Sequence, residues 1–192
     1  MHTLTPSRKP ASRRLAALGL TAAAALTLLI AGPAATASAS PVSCWTNLDT
    51  GATGCFDASV DPVDAIENAT GRPVVAETTG PAAARGAGEA TAAPAAAAVD
   101  YLLLTAYDNT GLTGPSNSYF TSNTNICTNG YAYGFTNFGT FNDRFESFQS
   151  YNGCSATFFA NSNYTGAEYG PYVSRTTMGT FNNTASSVYV GQ

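Results

Sequence analysis

Four cysteines and twelve carboxylates are the reactive side chains this sequence keeps once its first forty residues are set aside. Those residues read as an export signal. Arg8, Lys9, Arg13 and Arg14 precede an apolar run from Leu15 to Ala31, and Ala37-Ser38-Ala39 follows as a small-x-small cleavage site. His2 and Lys9, the only histidine and the only lysine, leave with that segment. Downstream there is no imidazole for a Ser-His-Asp triad, a Cys-His pair or a histidine-ligated zinc. Glu146 and Glu168 are of the type that works in pairs in glycosidases, but no sequence feature brings them together. The expectation is a protein that is not an enzyme.

The cysteines then read as structural. Cys44, Cys55, Cys127 and Cys154 are an even set in an exported chain, which suggests two disulfides. Three pairings are open. The expected one is Cys44–Cys55 with Cys127–Cys154, because a low-complexity stretch separates the two halves. A cysteine metal site lacks the C-x-x-C spacing. Charge narrows the partners further. Beyond the signal, four arginines face twelve acids, a net charge near −8. That balance cannot neutralise a run of phosphates, so nucleic acid is excluded as a partner. Nor is a membrane partner expected after signal cleavage.

Four zones position these groups: 1–39 as signal, 40–76 as a small disulfide-containing segment, 77–98 as an Ala/Gly/Pro-rich linker, and 99–192 as the main domain. Within 40–76, Asp61 suits an N-cap, Pro62 the first helical position and Gly71 the stop. One short helix follows from that, then PVV at 73–75 as a candidate strand. The linker composition cannot bury enough apolar surface to offset its ordering entropy. From Val99 the texture changes: all ten tyrosines and nine of the ten phenylalanines lie there, in short runs such as YLLLTAY and SATFF between turn clusters such as DNTG and NSNYTG. That is the pattern of an all-β sandwich of short strands.

This half is also written twice. GTFND at 139–143 returns as GTFNN at 179–183, and YDNTGLTG at 107–114 aligns with FANSNYTG at 159–166. Each copy ends in a strand-like run, SFQSY at 147–151 or SSVYVG at 186–191. The first copy is longer between Gly114 and Gly139, and Cys127 sits in the extra length. One copy alone would leave a face exposed; two packed together bury it.

The repeated pattern resembles the βγ-crystallin family, whose Greek-key motif has an aromatic-x4-aromatic-x-Gly hairpin and a later (N/D)(N/D)-x-x-(S/T)-S loop. Residues 159–166 fit the hairpin, while Leu112 replaces its second aromatic in 107–114. NNTASS at 182–187 fits the loop, and NDRFES at 142–147 fits except at Glu146. The resemblance implies a two-motif Greek-key β-sandwich over 99–192, preceded by a mostly irregular N-terminal segment with one small helix. It also implies calcium at the loops. Asn142, Asp143 and Glu146 in one loop and Asn182, Asn183 and Ser186 in the other would supply the hard oxygen ligands that calcium takes. Weak binding is expected, because Glu146 has the wrong length at its place and the second loop lacks a carboxylate. The plainer alternatives are Asx-rich turns and a surface ion pair between Arg144 and Asp143.

Two extracellular partners are expected, the first from the same resemblance. Secreted bacterial metalloproteinase inhibitors share this fold and an FNDR-type loop, here 141–144, and the insertion at 115–138, tethered at Cys127, is the candidate inhibitory loop. A carbohydrate or cell-wall glycan is the third reading, from the aromatic abundance. The expected molecule is a secreted monomer.

Overall fold

In the computed structural model, which describes residues 40–78 and 98–192, strands dominate and fall into two sheets. The signal region and most of the linker lie outside the described residues. The elements of the second half are β4 (Asp100–Asn109), β5 (Thr113–Thr121), β6 (Tyr133–Phe135), β7 (Ser147–Ser150), β8 (Ser155–Asn161), β9 (Thr165–Tyr172), β10 (Ser174–Arg175) and β11 (Ser187–Gly191). They make two four-strand motifs, β4 to β7 and β8 to β11. The third strand of each motif crosses to the other's sheet: β10 pairs with β7, and β6 with β11. The sheets are therefore β10-β7-β4-β5, extended further at its β5 edge, and β6-β11-β8-β9. This exchange is the two-motif Greek-key sandwich that the doubled motifs predicted.

Between the sheets lies one aromatic core. Leu104 and Ala106 of β4, Phe148 of β7, Phe158 of β8, and Val188 and Val190 of β11 are all fully buried there. Phe148 and Phe158 meet across it with ring centroids 4.8 Å apart. Cys127–Cys154 closes a 27-residue separation at the edge of this core, worth roughly 3–4 kcal/mol on the chain-entropy model.

The N-terminal segment joins the same structure. β1 (Val42–Asn47) and β2 (Thr53–Asp57) form a hairpin clasped by Cys44–Cys55, and β1 pairs in parallel with β5. A short β3 (Val74–Val75) adds in parallel to the start of β4. The helix α1 (Pro62–Thr70) lies where its capping pattern put it. Asp61 accepts from the Val63 N–H at 2.8 Å, and Gly71, in the left-handed region at φ 68°, returns its N–H to the Glu67 carbonyl. The helix presses Ile66 onto Leu102 and Phe120, cross-strand partners on the outer face of the large sheet. Sequence reading found the helix and placed a strand at 73–75, but did not foresee the hairpin.

Two polar contacts fasten the segment. The Arg72 Nε lies 3.2 Å from the fully buried Asp100 carboxylate, and its Nη2 donates to the carbonyls of Val99 and Ser122. On the other side Asn152, at φ 52°, donates to the carbonyls of Val75 and Leu102, while its own N–H reaches that of Glu77. The described residues form a single unit.

Candidate functional site

At one end of the sandwich the two loops 142–147 and 182–187 face each other. Each is launched by the same device, a 3-10 turn over Gly139–Phe141 or Gly179–Phe181. The backbone then repeats almost angle for angle: Asn142 and Asn182 have φ −59° and −53°, and Asp143 and Asn183 have φ 55° and 56°. That second position is left-handed, a conformation asparagine and aspartate tolerate better than other side chains do. Its residue type therefore has a conformational cause as well as a chemical one.

The loops are hooked to their hairpins and to each other. Glu146 N–H donates to the Tyr107 carbonyl, and Ser186 N–H to that of Phe159, each at 2.9 Å. The closing serines latch the hairpin turns: Leu112 N–H donates to Ser147 Oγ and Tyr164 N–H to Ser187 Oγ, both at 3.0 Å. Ser147 and Ser187 thus hold structure. Between loops, Asp143 N–H donates to the Ala185 carbonyl at 3.0 Å, and Asn183 N–H to the Phe145 carbonyl at 2.9 Å.

The side chains follow this crossed pattern. Ser186 Oγ donates to Asp143 Oδ1 at 3.1 Å, while Asn142 Nδ2 holds Oδ2 at 2.7 Å. In the other pair Asn183 Nδ2 donates to Glu146 Oε1 at 2.7 Å, with Asn182 Nδ2 at 3.5 Å from Oε2. All six candidate residues are thus brought together, but the second position of one loop meets the fifth position of the other. The two carboxylates are divided, one to each pair. Asn182 also serves its own turn, its Oδ1 accepting from the Met178 N–H at 2.9 Å.

Arg144 does not pair with Asp143, as the plainer reading had it. It reaches back to Asp108 in the first hairpin, donates to the Thr140 carbonyl, and lies 4.9 Å from the centre of the Phe141 ring. Burial raises the Asp108 carboxyl above the ordinary aspartate range, the Arg144 guanidinium pulls it back down, and the nearby Glu146 adds to the rise. Sequence spacing gave no sign of Asp108, because its partner is 36 residues away.

The candidate inhibitory stretch is only partly a loop. Residues 115–121 belong to β5, where Tyr119 and Phe120 are buried and β1 covers the edge. The stretch's longest continuously exposed run is 128–132, beside the disulfide. Among the described residues, no three of His, Cys, Asp and Glu gather as a metal cluster, and no helix is long and apolar enough to cross a membrane.

No protein-family model matches the chain, and no curated protein matches it either. Among solved structures it is similar to a βγ-crystallin domain from Clostridium beijerinckii, at 20% identity over 46% of this chain and 97% of that one, with a TM-score of 0.37. A βγ-crystallin domain from Flavobacterium johnsoniae matches at 22% identity, 46% and 92% coverage, and a TM-score of 0.35. The N-terminal domain of protein S does so at 17%, 46% and 93%, and 0.37. By its own strand order, with third strands exchanged between two sheets, the second half of this chain has the βγ-crystallin architecture that its motifs implied.

Proposed function

We propose that this is a secreted, non-enzymatic βγ-crystallin-like protein that binds calcium weakly between its two loops and serves an extracellular binding or structural role. One observation carries the reading: the carboxylate of Asp143 and the hydroxyl of Ser186 meet from opposite loops at 3.1 Å, beside a backbone carbonyl, that of Ala185, which takes the Asp143 N–H. Such a set of hard oxygens suits calcium, which accepts six to eight of them in a flexible shell. The Asp143–Ser186 pair is the better site. In the Glu146–Asn183 pair the amide turns its N–H toward the carboxylate, so its oxygen must rotate inward to serve as a ligand. Magnesium, which demands a tighter octahedron, should do little.

The test is a melting curve with calcium and with chelator. Free calcium at a hundred times Kd would add about 2.7 kcal/mol, a rise of about 5–10 °C for a unit of this size. A smaller rise is expected here, and Asp143→Asn should abolish it. If millimolar calcium leaves the wild-type curve unmoved, the loops are turns only.

Inhibition of a secreted metalloproteinase is the second reading, favoured by the disulfide-held exposed segment 128–132. A preorganised loop loses little entropy on docking into a protease cleft. Stoichiometric slowing of a thermolysin-type protease, lost when Tyr131 and Asn129 are changed to alanine, would support it. No slowing across several such proteases would remove it.

A further inference from the structure

The two disulfides sit in opposite surroundings. Cys127 and Cys154 are 0% and 1% exposed, packed in the sandwich core. Cys55 is exposed and Cys44 half-buried, and both line a cleft of about 360 Å³ where the N-terminal hairpin meets the first Greek key. Tyr119, Phe138 and Phe141 line the cleft too, and no lining residue is charged. A thiol in solvent can therefore reach one disulfide and not the other.

The exposed bond also fastens the least supported strand of the large sheet. Cys44 and Cys55 stand directly opposite each other in the β1–β2 ladder. While β1 is also paired to β5, β2 ends the sheet, with β1 as its one neighbour among the described strands. A lone two-stranded pairing is marginal in water, so β2 depends on this cross-link. A second hold lies on the opposite face, to which alternate side chains point. There Trp45 stands opposite Gly54 in register, where an added Cβ would come within 2.4 Å of its ring, and meets Phe120 edge-on.

We propose that Cys44–Cys55 is a thiol–disulfide exchange site, opened by a dithiol of otherwise uncharged body that enters the cleft, and that its reduction releases β2 from β1. One thiolate of the dithiol attacks Cys55 Sγ, and the S–S electron pair leaves on Cys44 Sγ, which takes up a proton. The second thiolate then attacks the dithiol's own sulfur in the mixed disulfide, and Cys55 leaves as the second thiol. The dithiol ends as a disulfide and the protein gains two thiols, an exchange of two electrons and two protons. Exposed disulfides of secreted proteins are the labile and regulatory ones. Release of β2 would bare the outer edge of β1, a row of backbone N–H and C=O groups able to pair with another strand.

Trp45 is the only tryptophan, and because it faces away from the cleft it reports on β2 without touching the reductant. The purified protein, in chelator, is treated with dithiothreitol, quenched with iodoacetamide at intervals and mapped by mass. Cys44 and Cys55 should be alkylated at least about tenfold faster than Cys127 and Cys154. Trp45 emission should shift at the rate of that first labelling. Cys44→Ser combined with Cys55→Ser should show the shifted emission without reductant, and no further response. Should that variant not fold, Thr53→Asp, at an exposed position lining the cleft, should slow the first labelling at least about threefold by repelling the attacking thiolate. Equal labelling of the two disulfides, emission unmoved once the first pair is reduced, wild-type emission in the double variant, or undiminished labelling in Thr53→Asp would each overturn the inference.

Discussion

The two loops share a backbone and almost nothing else. Their turns superpose in angle, their N–H groups cross to each other's carbonyls, and their closing serines latch equivalent hairpins. Their support is different. In the first, Phe145 is fully buried, stacked on Phe141 and edge-on to Phe138. In the second, Ala185 stands at that place, and Phe181 stacks on Tyr169 instead. The first loop also owns the Arg144–Asp108 pair, where the second has Thr184 and Ala160. The fold sets where a ligand oxygen can stand. The residues decide whether one stands there and how firmly it is held.

The comparison is easiest to break at Phe145. Phe145→Ala should cost about 3–5 kcal/mol, against roughly 1 kcal/mol for Ala185→Gly. Chemical denaturation of both variants measures the difference. Equal losses would mean that the two loops are supported alike.

Asn183→Asp sharpens it. With calcium absent, a second carboxylate would face Glu146 across a contact now 2.7 Å long, and like charges at that range cost on the order of 1 kcal/mol even near water. The chelator-treated variant should therefore melt below the wild type, while its calcium-dependent rise should be larger. A variant with an unchanged melting temperature in chelator would place the two side chains apart in solution.

Asp108→Asn is the finest test. Because the native carboxyl holds its proton more tightly than the unfolded one, its contribution favours folding at low pH and fades as pH rises through the native value. The substitution removes that falling contribution, so stability should rise more steeply with pH in the variant. Neutral stability should change by only about 1 kcal/mol, because the Arg144 end of the pair is exposed. Urea titrations from pH 3 to 7 read both. A flatter acid-side rise in the variant would show that the guanidinium outweighs burial.

The Greek keys were legible because their signals are local. An aromatic, a left-handed glycine at 114 or 166, and a doubled Asx define each hairpin and loop within a few residues. The helix was legible for the same reason, through Asp61, Pro62 and Gly71. Whom the loops face was not: repetition shows that 143 and 183 are equivalent, but not that 143 meets 186. The hairpin of β1 and β2 was hidden more deeply. Its own turn at 48–52 is local, but β1 docks on β5 in parallel, and a parallel pair leaves no turn signature between its members. Asn152 was hidden too, since its three tethers reach residues 50 to 77 positions away.

The parallel docking of β1 also bears on the order of events in time. Ser43 meets Ser116 across 73 residues, and Asn47 meets Ser122 across 75. Closing loops of that length is slow compared with forming the hairpins of either Greek key. The strand that comes first along the chain is therefore expected to settle last. Refolding followed by Trp45 emission, which reports on that docking, should lag behind the strand signal in far-ultraviolet circular dichroism.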